Sequence, residues 1–196
     1  RTTARMSTLP ILGAPAPEPE LQAGGLSPRR IYVDTYGCQM NVHDSQRMVS
    51  LMAGEGYLPT ETPEDADLIV LNSCSVRDKA ENKVRSRAGE MKKFKATNPE
   101  LVLAIGGCVA QQEGKRMLDR IPHADLVFGP DHVGDLPDMV REVESTRRRT
   151  LATKWVSRGD YRFPPPSKAG PKLVSAFVSV MKGCDKFCTF CVVPFT

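Results

Sequence analysis

Four short apolar runs alternate with longer amphipathic stretches between residues 30 and 145. The runs lie at 31–36, 68–71, 101–105 and 125–128, and the stretches lie at 42–53, 77–96, 110–120 and 133–143. Apolar residues recur at helical spacing within each stretch, and Asn41 is predicted to cap the first helix. Near-continuous apolar strands alternating with helices are typical of a parallel sheet covered on both faces. The pattern therefore predicts a small doubly wound α/β domain over residues 30–145.

The segments on either side of this domain have different patterns. Residues 1–29 are rich in Pro, Ala, Gly and Glu without periodicity, which predicts a disordered leader. Residues 146–172 contain Arg, Pro and Gly clusters and are predicted to be a linker. Residues 173–181 then alternate as a strand buried on both faces, which Gly183 ends. We expect residues 173–196 to be the start of a second domain that is cut short.

Composition limits the classes of function. The chain has 196 residues, of which 40% are hydrophobic and 26% charged, and no apolar run is long enough for a membrane helix. The first residues lack a signal-peptide pattern, so we expect a cytoplasmic protein. The net charge of +4 permits a nucleic-acid partner without arguing for one, and the aromatic content of only 6% argues against a surface for stacking bases.

Three cysteines, named here the first trio, follow the first three predicted strands. Cys38, Cys74 and Cys108 are separated by 36 and 34 residues, about one strand–helix unit each. Parallel strands end at the same edge of a sheet, so these thiols should converge where such sheets bind ligands. The glycines before them would let the backbone approach a bulky inorganic group. Three buried structural thiols are the alternative, because cysteine is often buried.

The other three cysteines, named here the second trio, form a compact C-x3-C-x2-C run of Cys184, Cys188 and Cys191. In a reducing compartment, metal ligation is favoured over disulfides. Structural zinc usually takes four ligands, and no fourth Cys or His lies nearby, so zinc is the weaker interpretation. Three thiolates can instead bind three irons of a four-iron cluster and leave the fourth iron open for chemistry.

The C-x3-C-x2-C run after a domain's first strand resembles the radical S-adenosylmethionine superfamily. Three further motifs are similar to its methylthiotransferase family, in particular to the tRNA enzymes that act on isopentenyl-adenosine beside the anticodon. These motifs lie at residues 35–41, at 72–77 with Ala80-Glu81, and at 106–108. The resemblance covers about residues 30–196. Ser73 stands where the family commonly has Thr, and we expect the sequence to stop before the rest of the family's partial (βα) barrel and its C-terminal RNA-binding module.

The resemblance implies two four-iron–four-sulfur clusters and S-adenosyl-L-methionine as cofactors. The second trio would hold the cluster whose open iron binds S-adenosylmethionine, and cleavage of that molecule would give a radical that takes hydrogen from C2 of the adenine. The first trio would hold an auxiliary cluster that presents sulfur, and a second S-adenosylmethionine would supply the methyl group. The implied partners are tRNA and a flavodoxin- or ferredoxin-type electron donor. We expect a monomer that does not associate with membranes.

Other residues near the first trio carry weaker predictions. Gln39, Asn41, Asn72 and Arg77 could donate hydrogen bonds to cluster sulfurs or substrate, although Arg77 fits a solvated helix start equally well. Residues 77–95 contain eight basic and three acidic residues, a net charge of +5. That charge suits either tRNA phosphates or a solvated helix face.

Three alternatives remain open from the sequence. The same chemistry on threonylcarbamoyl-adenosine in tRNA, or on an aspartate of a ribosomal protein, would need the same cysteines. The segments 39–41 and 75–77 favour the isopentenyl-adenosine branch. A non-catalytic metal-binding module is an alternative of a different class. We expect the chain by itself to be inactive, because the strand 173–181 would lack its barrel neighbours.

Overall fold

The structure is a computed structural model that describes residues 28–76, 78–157 and 180–196. Six β-strands and five α-helices follow one another along these described residues. They are β1 (Arg29–Thr35), α1 (Gln39–Gly54), β2 (Tyr57–Pro59), β3 (Leu68–Ser73), α2 (Asp78–Thr97), β4 (Val102–Gly107), α3 (Cys108–Glu113), α4 (Lys115–Arg120), β5 (Leu126–Phe128), α5 (Leu136–Thr146) and β6 (Thr150–Ala152). Short 3-10 turns lie at Pro63–Asp65, Pro130–Asp135 and Val193–Phe195.

The six strands form one sheet in the order β2-β1-β3-β4-β5-β6, and every neighbouring pair is parallel. From β1 the chain first adds β2 on one side, then returns to the other side for β3 and continues outward. The strand order therefore reverses between β1 and β3. Such a switch point opens a crevice at the carboxyl ends of the strands, which is where open α/β sheets bind ligands. The predicted doubly wound parallel sheet is confirmed.

The core has two layers because β3 and β4 are buried on both faces. On one face, Ile69 and Ile105 pack with α2, α3 and α4. On the other face, Val70 and Ala104 pack with α1 and α5. Burying one such aliphatic side chain stabilises the fold by about 1.5–3 kcal/mol. Packing on both faces therefore fixes β3 and β4, including their carboxyl ends, where the loops that contain Cys74 and Cys108 begin.

Several helix ends differ from the sequence prediction. Helix α1 begins at Gln39, and Asn41 is not its cap; that prediction is wrong, because Cys38 takes the N-cap position. Asn41 lies one turn inside, where its Oδ1 accepts the Cys38 backbone N–H at 3.2 Å. The predicted helix 110–120 is divided into α3 and α4 at Gly114, whose φ of +48° interrupts helical geometry.

The two outermost strands were not predicted. Each of β2 and β6 has three residues, too few to show a periodicity. β6 lies within the segment that the sequence assigns to the linker, so the sheet extends past residue 145. The predicted leader, up to residue 27, and positions 173–179 of the predicted barrel strand lie outside the described residues. Val180 and Met181 are exposed and belong to no strand. Within the described ranges, no helix combines the length and apolar content that crossing a membrane requires.

Candidate metal centre at the carboxyl edge of the sheet

The strand register places the three loops of the first trio side by side. Thr35 of β1 pairs with Asn72 of β3, and Asn72 pairs with Gly106 of β4. Each cysteine of the trio follows its register residue by two or three positions. Neighbouring strands are about 4.8 Å apart, so the three loops share roughly 10 Å of one sheet edge. They also flank the switch point between β1 and β3.

Two glycines let these loops approach one another closely. A Cβ on Gly37 would lie 2.4 Å from the Cβ of Cys74, and a Cβ on Gly107 would lie 2.2 Å from the backbone oxygen of Ser73. Gly107 also has a φ of +94°, a conformation that side chains rarely adopt. Glycine is therefore required for the loops before Cys38 and Cys108 to lie against the Cys74 loop.

Asn41 links the loops of two of these cysteines. Its Oδ1 accepts the backbone N–H of Cys38 at 3.2 Å and the Cys38 thiol at 3.3 Å. Its Nδ2 donates to Asn72 Oδ1 at 3.1 Å and to the Ser73 carbonyl at 3.0 Å. Asn41 as a whole is 3% exposed, so these four contacts satisfy the polar atoms of its side chain without water.

Asn72 completes the network from within β3. Its Nδ2 donates to the Asn41 carbonyl at 2.8 Å and to Ser45 Oγ at 2.9 Å, and Ser45 in turn shares a 2.8 Å hydrogen bond with Thr35. Both amide protons of Asn72 are thus used inside the protein. Asn72 therefore holds the loops in place, and its amide protons do not bind a substrate. The signal in the sequence was an asparagine directly after an apolar strand, but its partners Ser45 and Thr35 were not foreseen.

The three thiols of the first trio have different surroundings. All are free; Cys74 is buried, Cys108 is half-buried and Cys38 is exposed. Burial raises the pKa of the Cys108 thiol, and the nearby Cys74 and Cys38 thiols raise that pKa further. Hydrogen bonds from the Ser75 backbone N–H and the Thr196 hydroxyl act in the opposite direction. The electrostatic influence of both other thiols on Cys108 reflects how closely the three loops gather.

The second trio lies on the segment 180–196. Cys184 and Cys188 are exposed, Cys191 is half-buried, and the Cys191 backbone N–H donates to the Cys188 carbonyl at 3.0 Å in a turn. The segment contacts the sheet domain through Lys182, whose Nζ lies 2.7 Å from Asp131 Oδ1. The Thr196 hydroxyl also lies near the Cys108 thiol and acts to lower its pKa.

The first trio offers three free thiols on adjacent loops, and thiolates are ligands both of zinc and of iron–sulfur clusters. Three sulfur donors with a glycine-lined approach suit a bulky thiolate-bound group. Throughout residues 28–76, 78–157 and 180–196, no group of three or more His, Cys, Asp or Glu side chains is arranged as a metal-ion site. One zinc ion would draw its sulfurs to about 3.8 Å from each other at Zn–S distances of about 2.3 Å. Each thiolate of a cluster binds a different iron and keeps a larger separation.

The remaining candidate residues are placed as follows. Gln39 is exposed at the start of α1, and Arg77 lies outside the described residues. On α2, three of the basic side chains are paired with carboxylates: Arg85 with Glu113, Arg87 with Asp34 and Lys95 with Asp125. These three pairs join α2 to its neighbours and reduce the charge that the helix offers to an anionic partner.

A family profile matches the part of the chain that contains the first trio. The profile of Uncharacterized protein family UPF0004 covers residues 30–129, just over half of the 196 residues. The chain belongs to this family. The match begins in β1 and ends directly after β5, so it includes the strand ends and loops of the first trio.

Curated relatives extend the UPF0004 match toward the second trio. The chain is 47% identical over 169 residues to the tRNA-2-methylthio-N(6)-dimethylallyladenosine synthase of Janthinobacterium sp. (strain Marseille), which covers 86% of this chain and 37% of that protein. It is 49% identical over 169 residues to the synthase of the same name from Anaeromyxobacter sp. (strain Fw109-5), covering 86% and 36%. For the synthase of Anaeromyxobacter sp. (strain K) the identity is 46% over 188 residues, covering 95% and 39%.

These relatives confirm the methylthiotransferase resemblance drawn from the motifs. The chain spans between 36% and 39% of the length of the three relatives described. The comparisons therefore establish the family of the sheet domain, and they cover only this part of the relatives' length.

Proposed function

We propose that this UPF0004 protein is a tRNA methylthiotransferase that adds a 2-methylthio group to N6-dimethylallyladenosine beside the anticodon. The observation that carries the proposal is the convergence of the three cysteine loops at the switch point of the sheet. The names of the relatives support the substrate, since the synthases that resemble this chain are named for the 2-methylthio derivative of that nucleoside.

In this proposal the first trio holds a four-iron–four-sulfur cluster. Cys38, Cys74 and Cys108 supply thiolates from three adjacent loops, and the Asn41–Asn72 network fixes the two loops that carry Cys38 and Cys74. Gly37 and Gly107 keep the approach between the loops free of side chains. Ligand thiols must lose their protons on binding, and the positive charge of iron offsets the burial that raises the pKa of Cys108.

Cys184, Cys188 and Cys191 would hold the other four-iron–four-sulfur cluster, which would bind S-adenosylmethionine. When bound, these groups supply one-electron chemistry and sulfur, which the side chains of the protein do not provide. The exposure of Cys184 and Cys188 leaves their thiols accessible for assembly. The Thr196 hydroxyl lies near the Cys108 thiol, so the segment of the second trio ends close to the first trio, as two clusters that serve one cavity would require. A flavodoxin- or ferredoxin-type protein is the proposed electron donor.

Metal content tests the assignment of the ligands. After anaerobic reconstitution with iron and sulfide, the full-length protein should hold about eight irons, four per cluster. The Cys74→Ala variant should hold about four, because one ligand of the first trio is missing. Ser73→Ala is the matched control next to Cys74 and should keep about eight. Stoichiometric zinc without sulfide would instead favour a non-catalytic metal module, and eight irons in Cys74→Ala would exclude the first trio.

Mass spectrometry of tRNA tests the substrate. A strain that lacks the gene should lose 2-methylthio-N6-dimethylallyladenosine and accumulate the unmodified N6-dimethylallyladenosine. The gene for the wild-type protein should restore the product, whereas the gene for Cys74→Ala should not. Unchanged product in the deletion strain, or loss of a methylthio derivative of threonylcarbamoyl-adenosine, would contradict the proposed substrate.

A further inference from the structure

The backbone directly after β3 directs an N–H group at one thiol of the first trio. The N–H of Val76 donates to Cys74 Sγ at 3.5 Å. The backbone N–H of Ser75 lies near the Cys108 thiol and acts to lower the pKa of that thiol. Ser75 therefore follows Cys74 directly in the chain and lies close to Cys108 in space.

The hydroxyl group of Ser75 differs from the other hydroxyls at this edge of the sheet. Its Oγ is buried and has no hydrogen-bond partner among the described residues. Other hydroxyls near the same edge are satisfied: Ser73 Oγ donates to the Gly106 carbonyl at 2.6 Å, and Ser45 Oγ is bonded to Asn72 and Thr35. A buried hydroxyl without a partner costs about 1–3 kcal/mol, so its presence requires an explanation.

We propose that the Ser75 hydroxyl donates a hydrogen bond to sulfur of the cluster bound by the first trio and thereby raises the reduction potential of that cluster. The inference rests on the proposed function, since it needs a cluster at this position. Hydrogen bonds to cluster sulfurs withdraw negative charge and favour the more negative, reduced state. Ser75 is a positioning and tuning residue in this account: it touches sulfur but transfers no electron or proton.

The test isolates the first trio. In the full-length protein, the triple substitution Cys184→Ala, Cys188→Ala and Cys191→Ala removes the second trio, so only one cluster can be reconstituted. Ser75→Ala is compared with this parent by iron and sulfide content, by electron paramagnetic resonance of the reduced cluster, and by redox titration. We expect about four irons in both proteins. We expect Ser75→Ala to shift the reduction equilibrium at least about threefold against reduction, a decrease of about 28 mV at 59 mV per tenfold.

Two further variants separate tuning from a structural role. Ser73→Ala removes a neighbouring hydroxyl that is bonded to a carbonyl, so it should destabilise the apoprotein and leave the potential unchanged. Ser75→Ala should leave the stability of the apoprotein unchanged or increase it, because an unpartnered hydroxyl is removed. Ser75→Thr keeps a hydroxyl and should restore the parent's potential.

The outcomes distinguish this inference from the proposed function. A parent that binds neither iron nor sulfide overturns both. A loaded Ser75→Ala cluster with the parent's potential and resonance spectrum overturns the role of Ser75 alone and leaves the cluster assignment intact. A destabilised Ser75→Ala apoprotein with an unchanged potential likewise overturns the inference, since the hydroxyl would then act only in the fold.

Discussion

The Asn41–Asn72 network can be tested by a single isosteric change, Asn72→Asp. In the wild-type protein, Nδ2 of Asn72 donates to the Asn41 carbonyl at 2.8 Å and to Ser45 Oγ at 2.9 Å. Aspartate has nearly the same shape, but an oxygen replaces Nδ2. When protonated, this carboxyl can still donate to the Asn41 carbonyl and accept from the Ser45 hydroxyl, so the cost is about 1 kcal/mol.

The ionised form of this carboxyl is much less favourable. It would place a negative charge against the Asn41 carbonyl at a position that is 0% exposed in the wild-type protein. Burial without a cationic partner raises the pKa of such a group in the folded state above its unfolded value of about 3.9. The folded state then binds the proton more tightly than the unfolded state. The stability of the variant is accordingly retained at low pH and lost as the pH rises between the two pKa values.

The size of the effect follows from about 1.36 kcal/mol per pH unit across that window. If the folded-state pKa is about 6.5, the cost of Asn72→Asp should increase by about 2 kcal/mol between pH 5 and pH 6.5 and then level off. The measurement is urea unfolding of the reduced apoprotein, followed by circular dichroism at several pH values and always compared with the wild-type protein. This comparison removes the pH dependence that both proteins share.

Asn98→Asp is the matched control. Asn98 is only half-buried, and its Oδ1 accepts the backbone N–H of Glu100 at 3.1 Å, a bond that aspartate retains. Its cost should stay below about 1 kcal/mol over the same pH range, even with the charge near the C-terminus of α2. A cost of Asn72→Asp that is the same at pH 5 and pH 6.5 would refute the reasoning, because the new carboxylate would then be hydrated or paired rather than enclosed by the network.

Three other results are expected. Gly106→Ala should lower the free energy of unfolding in urea by about 1–3 kcal/mol, because its Cβ would lie 2.5 Å from the ring of Phe128. In the double variant, Phe128→Leu should recover part of that loss, and purely additive losses would contradict this explanation. Gly107→Ala should also lower the free energy of unfolding, and no second side-chain substitution should restore it, since the new Cβ would meet the Ser73 backbone oxygen at 2.2 Å. A Gly107→Ala protein with wild-type stability would contradict this. Burial, followed by hydrogen bonds to carboxylates, raises the pKa of Tyr36 and Tyr57 above 10, so their contribution to stability is present below about pH 10 and lost above it; ultraviolet titration should show both ionising later than free tyrosine.

Much of the fold could be predicted because its signals are local. The buried runs of β3 and β4 are apolar at every position up to Asn72 and Gly106, and a strand buried on both faces cannot be polar. The start of α1 was missed because residues 39–46 have a polar surface and little apolar periodicity before Met48. Gly114 divides a helix through its own backbone angle, which the surrounding apolar pattern does not reveal.

The candidate site could be predicted in part. The positions of Cys38, Cys74 and Cys108 after three strands were enough to predict convergence at one edge, since parallel strands end together. The sequence singled out Asn41 and Asn72 as donors to a cluster or substrate, but it could not show that they bond to each other and hold the loops. They are 31 positions apart and meet only when β1 and β3 are neighbours. The orphaned hydroxyl of Ser75 is equally a property of the packed chain.

The sequence by itself determined which residues can serve as ligands and at which ends of the strands they lie. Thiols and strand propensity are properties of individual residues and of their immediate neighbours. The tertiary structure decided the strand order β2-β1-β3-β4-β5-β6, and with it the switch point that the first trio flanks. It also decided that Gly107 meets Ser73 and that the Ser75 hydroxyl is buried without a hydrogen-bond partner among the described residues. Such contacts depend on the packing of the whole sheet, because residues far apart in the chain become neighbours only after two layers of helices have buried both of its faces.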